Sequence, residues 1–428
     1  MAYTVTKRTS YGQRVKNSFG GIFLGILLFI AGTCLLWWNE GRAVKTTKML
    51  KEAQANYVEM GDINSINPEY DGKLVHATGL AVTDDVLTDP IFNVACTALN
   101  LSRKVEYYQW VEHSKTMKKD KIGGGEEETT TYTYDKQWSD KAIESSKFAD
   151  PQYHNANFVL LNGIEDEKLY ASHVSFGAYK LNENQIHSIG TIEKLNVELP
   201  EGIVKSLSEN AAQSMKDYRN KILKERVAAD STSGSSLVHV NGNVVYVGRS
   251  ANSPQIGDMR IIFEKAVPGN VSLIAVVSGD TFTGYTAKNG KIMSVITNGT
   301  QAAEAMFASE HATNKAVLWI FRIVGVLIVI FGLRNIFDFL HTLAKVLPFL
   351  ANIIGFGVGA VCSIIGFVWS LLIIALAWLF YRPMLGILLI VIAAAIIFLF
   401  SKKSKELLRK NATATTEEPA TTDQLQNP

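Results

Sequence analysis

From Phe19 to Trp38 the chain runs for 20 residues without a charge. As a helix rising 1.5 Å per residue, such a run is about 30 Å long, the thickness of a bilayer's hydrocarbon core. Four bases (Lys7, Arg8, Arg14, Lys16) and no acid precede it. A cleaved signal peptide has a shorter apolar core that ends in small residues. This run ends in Trp37 and Trp38, whose rings suit the headgroup region, so it reads as an uncleaved membrane anchor.

Three more apolar runs follow: Ala316–Leu333, Gly357–Phe380 and Met384–Phe400, the last two joined by the short turn "YRP". Arg322 lies about 9 Å inside the second run. An intramembrane base marks either an ion or substrate pathway or a side chain snorkelling to the nearer interface, and its shallow depth favours snorkelling. Gly21 and Gly25 in the first run are small, as are Ala351, Gly355, Gly359 and Ser363, spaced by four around the third. Such faces let another helix approach closely. Inside an apolar run, the Gly355–Gly359 pattern is packing rather than a nucleotide loop.

Over 334–356, Arg334, Asp338, His341 and Lys345 share one helical stripe, and Ile336, Leu340, Leu343 and Leu347 the opposite one. That spacing describes an amphipathic helix in the membrane surface. With four spans the termini share one side. That side carries eleven Lys and Arg close to the spans against six on the other, which places both termini in the cytoplasm and the large intervening block outside.

The block from Asn39 to Lys315 has 277 residues, more than one domain usually holds. A net charge of +2 gives no basic face for nucleic acid. Of the three cysteines only Cys96 lies in the block, so no disulfide can close within it. "LVHATG" at Leu74–Gly79 returns as "LVHVNG" at Leu237–Gly242, each after a helix-like segment and before β-rich sequence. This order points to a duplicated pair of helix-plus-sheet domains joined by "ADSTSGSS". In the first, "RKVEYYQWVEH" and "TTTYTYDKQW" read as a hairpin with a long polar tip. In the second, "NVVYVG", "DMRIIFEK", "VSLIAVVSGD" and "TFTGYTA" read as strands between Gly, Pro and Asn turns.

The chain has no CxxC, HExxH, Walker A or GxSxG motif. His76 and His239 occupy equivalent places in the two echoes, but no further ligands of suitable spacing accompany them, so a polar sheet face outweighs a metal site. Asp84, Asp85 and Asp89 read as an acidic turn and Glu126–Glu128 as a solvated loop tip. Within the block, sequons stand at Asn100, Asn270 and Asn298.

"WWNEGRAV" (Trp37, Trp38, Asn39, Glu40, Gly41, Arg42 and the two residues after them) resembles the segment that follows the first span in the transmembrane protein 43 (LUMA) family. "GKLVHATG", "VEYYQWVE", "TYTYDKQW", "PQIGDMRIIFE" and "AWLFYRP" match in order, and the resemblance covers roughly residues 15–402. It implies a multi-pass protein with a large exported loop and both ends cytoplasmic. Eukaryotic members lie in the endoplasmic reticulum and inner nuclear membrane and help organise membrane proteins; in bacterial relatives the loop would be periplasmic. The family supplies no catalytic residues or cofactor.

The expected fold is therefore an α+β membrane protein with four transmembrane helices and a large exported β-rich region of two duplicated domains. Its parts are a basic cytoplasmic N-terminus (1–18), spans at 19–38, 316–333, 357–380 and 384–400, exported domains at 39–228 and 237–315 around a linker at 229–236, an interfacial segment (334–356) and a basic, then disordered, cytoplasmic tail (401–428). The expected function is a non-enzymatic scaffold whose partners are lipid, other membrane proteins and further copies of itself. The rivals are a ligand- or lipid-binding protein or transporter using Arg322, and an ectoenzyme.

Overall fold

The computed structural model describes residues 3–153, 155, 160–218, 236–346 and 348–382. The expected fourth span, the tail and all but the last residue of the linker lie outside the described residues. Six strands and four helices carry the architecture: β1 (Tyr3–Thr9), β2 (Leu74–Val82), β3 (Asn100–Asp120), β4 (Glu126–Ser139), β5 (Met259–Val267) and β6 (Gly269–Ser278); α1 (Tyr11–Asn56), α2 (Glu201–Tyr218), α3 (Ala303–Ala344) and α4 (Pro348–Tyr381). The result is a mixed α+β chain. Among the described residues, three helices are long and apolar enough to cross a membrane: α1, α3 and the Gly355–Tyr381 part of α4.

The chain divides into two compact units: residues 1–18, 46–314 and 340–354 in one, residues 19–45, 315–339 and 355–428 in the other. The first holds two large sheets. In the eight-stranded sheet, β1, β4, β3 and β5 are successive neighbours, followed by Val244–Val247 and Val238–Asn241. In the seven-stranded sheet β6 pairs antiparallel with β2. Each sheet thus draws strands from both sides of the 229–236 segment. The two echoes fall in different sheets: His76 lies in β2 and is buried, whereas His239 lies on an edge strand of the other sheet and is exposed.

Alternation along the strands explains the packing. In β5, Met259, Ile261 and Phe263 point inward and are fully buried, while Arg260 and Glu264 face the other way. The inward face meets α2, on which Ile203, Leu207, Ala211 and Met215 recur every four residues and pack into the same core. β6 is buried on both faces. Val271, Leu273, Ala275 and Val277 join one core with Phe176, Tyr179 and Phe282. Ile274 faces the other way, onto Met49, Leu50 and Ala53 of α1 and Met306 and Phe307 of α3. Each fully buried Val, Leu, Ile, Phe or Met among them contributes about 1.5–3 kcal/mol.

The β3–β4 hairpin is longer than its sequence indicates. Register runs unbroken from Tyr107↔Ser139 to Asp120↔Glu126, leaving only Lys121–Gly125 as the turn. Gly123 and Gly124 take φ of 90° and 83° there, a region that favours glycine. Glu126–Glu128 therefore open a strand instead of forming a loose tip. Residues 3–18 are structured too: β1 pairs antiparallel with β4, Thr9 opposite Glu126 and Tyr3 opposite Tyr132. Arg14, in the first turn of α1, is buried against this tip. It donates to the carbonyls of Gly124 (3.0 Å) and Gly125 (3.2 Å) and pairs with Asp120 (2.7 Å) and Glu126 (3.1 Å).

The expected interfacial helix is instead a continuation of α3 as far as Ala344. Its last turn meets the hairpin tip: the Tyr11 hydroxyl donates to the Leu343 carbonyl (3.1 Å), and the Gly123 N–H to that of Val346 (3.1 Å).

Candidate functional site: a buried ion pair among the membrane helices

Within the second unit α1 and α3 run antiparallel at backbone contact. A Cβ built on Gly25 would lie 2.7 Å from the Gly332 carbonyl oxygen, and one on Gly332 2.6 Å from the Phe29 nitrogen. Gly32 and Gly325 face Val329 and Leu36 with the same closeness. Gly25 and Gly32, like Gly325 and Gly332, are seven residues apart, the period of two helices packed along a seam. Small residues at such a seam let the helix axes approach until dispersion contacts run the length of the pair. Gly21 sits at ordinary distance, 3.8 Å from the Asn335 carbonyl.

On α4 the tight positions are Gly359, against Arg334, and Gly366, against Ile330. Ser363 donates to the Gly359 carbonyl (2.7 Å), and Ala351 and Gly355 belong to the same helix. The face buried around them carries Cys362, Ser370, Ile373 and Ala377. Its period is three to four residues, not the strict four of the small-residue stripe, because a helix turns 3.6 residues per cycle.

At one end of this seam lies a polar cluster. Glu40 and Asn39 are completely buried. The Asn39 amide donates to the Leu318 carbonyl (2.9 Å), fixing the level of α1 against α3. One turn deeper on α3, Arg322 climbs back toward the Lys315 end of its run, as snorkelling requires, but stops on a carboxylate instead of water. Its Nε lies 2.6 Å from Glu40 Oε1. The other oxygen, Oε2, accepts from the Trp378 indole at 2.8 Å. The guanidinium is stacked 4.9 Å from the Trp319 ring and 5.5 Å from that of Trp378, an arrangement that compensates its lost hydration. In place of a side chain extended to the interface, Arg322 is buried on Glu40, with its Nη2 left without a hydrogen-bond partner among the described residues.

The neighbouring residues complete the site. A Cβ on Gly41 would sit 2.6 Å from the Tyr381 ring. Trp37 packs on Phe380 and Tyr381, while Trp38, half exposed, meets Phe321 edge-on. Arg42 bonds the Asn39 side-chain oxygen through Nε (3.4 Å) and Nη2 (3.3 Å). Glu40 turns inward onto Arg322 and Trp378, although its place just past Trp37 and Trp38 points to the headgroup region. Trp319, Trp378, Gly32, Gly325, Gly332 and Gly366 do not stand out in the sequence reading. The seven-residue glycine spacing in two separate runs is a usable signal for four of the glycines at the seam; the tryptophans give none, since interface rings are common in any span.

Chemically the cluster holds two helices to a third; it presents no nucleophile beside a base. The other candidates are separated. The Asp85 carboxylate accepts from the backbone of Ser172 and His173, and these bonds hold its pKa below the usual carboxylate value. Asp89 caps Ile91 and Phe92 and pairs with buried Arg103; Asp84 is exposed. His76 contacts Glu59 (2.6 Å) and the Gln301 carbonyl (2.9 Å). Among the described residues no three His, Cys, Asp or Glu side chains are grouped to hold a metal ion. Asn100 is buried and donates to the Leu169 carbonyl.

The family model described as Transmembrane protein 43 matches residues 107–383. Transmembrane protein 43 of Rattus norvegicus is 28% identical over 387 residues, covering 88% of each chain, and that of Homo sapiens likewise. The Transmembrane protein 43 homolog of Drosophila melanogaster is 26% identical over 385 residues, 88% of this chain and 93% of its own. No solved structure matches. A family match spanning most of the β-rich region, the ion pair's α3 and α4 partners and the third span leads to one conclusion: the chain belongs to the transmembrane protein 43 family.

Proposed function

We propose that this protein is a non-enzymatic multi-pass membrane scaffold, organising membrane-protein complexes through its β-rich region and its helix packing. The observation that carries this reading is the Glu40–Arg322–Trp378 cluster, which uses up the charge of the second span in holding helices together. The same pairing weighs against a transporter that would need Arg322 facing a pathway.

In this reading Met384–Phe400 completes a four-span layout with both termini cytoplasmic, and the block is periplasmic in a bacterial inner membrane or lumenal in the endoplasmic reticulum or inner nuclear membrane. The echo at Leu74 and Leu237 would be the trace of a duplication whose strands have since merged into shared sheets. No cofactor is required; the partners are lipid, other membrane proteins and further copies.

The test is crosslinking in native membranes with mass spectrometry of what the β-rich region captures. Defined membrane-protein partners, lost on Glu40→Gln, support a scaffold. Capture of nothing but lipid would remove the partner-binding claim.

A further inference from the structure

β1 and Arg14 precede the first span, and Leu343–Val346 follow the second; the tip of the β3–β4 hairpin belongs to the block between those spans. Yet all meet. Thr9 pairs with Glu126, Arg14 is buried against Gly124, Gly125, Asp120 and Glu126, the Gly123 N–H reaches the Val346 carbonyl, and Lys345 lies 3.9 Å from Asp120. If the first two spans cross the bilayer, the tip lies on the side opposite the rest of the block. The hairpin must then cross as well.

Its length suits that. The base is clasped as far as Glu112 and Tyr134: Glu112 accepts from the Ala149 N–H and the Tyr134 hydroxyl (both 2.6 Å), and Tyr153 stacks on Tyr134 at 4.3 Å. From Glu112 to the tip anchor Asp120 is eight strand residues, or about 27 Å. The hydrocarbon core is about 30 Å thick. β1 runs back along the same stretch from Thr9 to Tyr3, making a ribbon of three strands.

This ribbon cannot face lipid. His113 through Lys119 are all exposed, and they include Lys115, Lys118 and Lys119. Beyond Tyr107, β3 has no strand neighbour except β4 among the described residues; Tyr108 and Trp110 still bond Gly257, Asp258 and Asn155, and past them the outer N–H and C=O groups want partners that hydrocarbon lacks. Backbone of this kind is tolerated at membrane depth only against protein or a water-filled cavity, and the exposed lysines, of which Lys118 pairs with Glu128 at 3.3 Å, favour water over hydrocarbon. Among the described residues the spanning helices leave no lumen between themselves, since they pack directly on one another at Gly25–Gly332 and Gly366–Ile330.

We infer that the β1–β3–β4 ribbon crosses the bilayer, its tip on the Arg14 side, and lines a water-filled lumen enclosed by further copies of this chain. The inference rests on the first two spans crossing, not on the scaffold reading.

The test uses the full chain in sealed membranes with Cys34, Cys96 and Cys362 replaced by alanine. Single cysteines are introduced by Gln13→Cys, Ile122→Cys, Asn252→Cys and Thr116→Cys and probed with a membrane-impermeant maleimide. Gln13→Cys and Ile122→Cys should label from one face only and Asn252→Cys from the other. Thr116→Cys, mid-ribbon, should react with a small water-soluble thiosulfonate, and the detergent-purified protein should have the mass of several copies. A Val5→Cys/Thr130→Cys pair should form a disulfide, confirming that β1 is paired. Labelling of Ile122→Cys from the Asn252 face overturns the crossing while leaving the spans intact. Labelling of all three from one face overturns the crossing and the span topology together. Failure of the disulfide removes the pairing on which the inference stands, an unreactive Thr116→Cys removes the lumen, and a monomeric mass removes the enclosing copies.

Discussion

Arg322 and Glu40, 282 positions apart in sequence, meet at 2.6 Å with both side chains buried. Breaking one partner of such a pair leaves a charge stranded and costs about 3–5 kcal/mol. Glu40→Gln should therefore lower the unfolding temperature of the detergent-solubilised protein sharply. Glu40→Gln combined with Arg322→Met should cost clearly less than the two single changes added together. An additive double-mutant cycle would show that the contact carries no coupling.

The glycine seam makes a contrast within one helix. A methyl on Gly25 has the Gly332 backbone oxygen 2.7 Å away, whereas one on Gly20 meets nothing within 4 Å. Gly25→Ala should destabilise by about 1–3 kcal/mol, the usual range for overpacking, and Gly20→Ala should be neutral in the same thermal assay.

The hairpin tip depends on Arg14. Removing it leaves Asp120 and Glu126 without their closest shared cation and frees the Gly124 and Gly125 carbonyls. Arg14→Gln should increase tryptic cleavage at Lys118, Lys119 and Lys121 by about tenfold or more, corresponding to a loss of at least about 1.4 kcal/mol in local stability. Unchanged cleavage would mean that β1 pairing alone holds the tip.

Asp258 sets a pH dependence. Burial raises its carboxyl pKa above the usual value, although the Tyr246 hydroxyl and the Gln255 N–H both favour the charged form. The folded state thus holds this proton more firmly than the unfolded chain. Its contribution to stability is greatest below the unfolded pKa of about 4 and is lost as pH rises toward the folded value. Asp258→Asn should flatten the stability profile across that window, measured by chemical denaturation at stepped pH.

The three described spanning helices and most strand cores could be read directly, because uncharged runs and period-two alternation are local properties. "DMRIIFEK" and "VSLIAVVSGD" became β5 and β6 nearly as written. The outer hairpin could not be read this way. Lys115–Asp120 and Glu126–Glu128 carry no apolar alternation, and their strand state comes from cross-strand partners such as Lys118 with Glu128 and Arg8 with Glu127. The ion pair was half legible: Arg322 stood out as an intramembrane base, while Glu40, just past a tryptophan pair, looked like an ordinary interface residue. Only the antiparallel docking of α1 on α3 makes them neighbours.

The pairing of β1 with β4 also imposes an order on assembly. Arg8 and its partner Glu127 are separated by 119 residues, which at about 5–20 residues per second is roughly 6–24 s of synthesis. Through that interval the amino-terminal strand waits with both edges open while α1, made directly after it, is already available to the membrane. Closure of the ribbon therefore cannot begin until the first span has been made. Whatever occupies the arm while the chain is still being made determines whether its last strand is added.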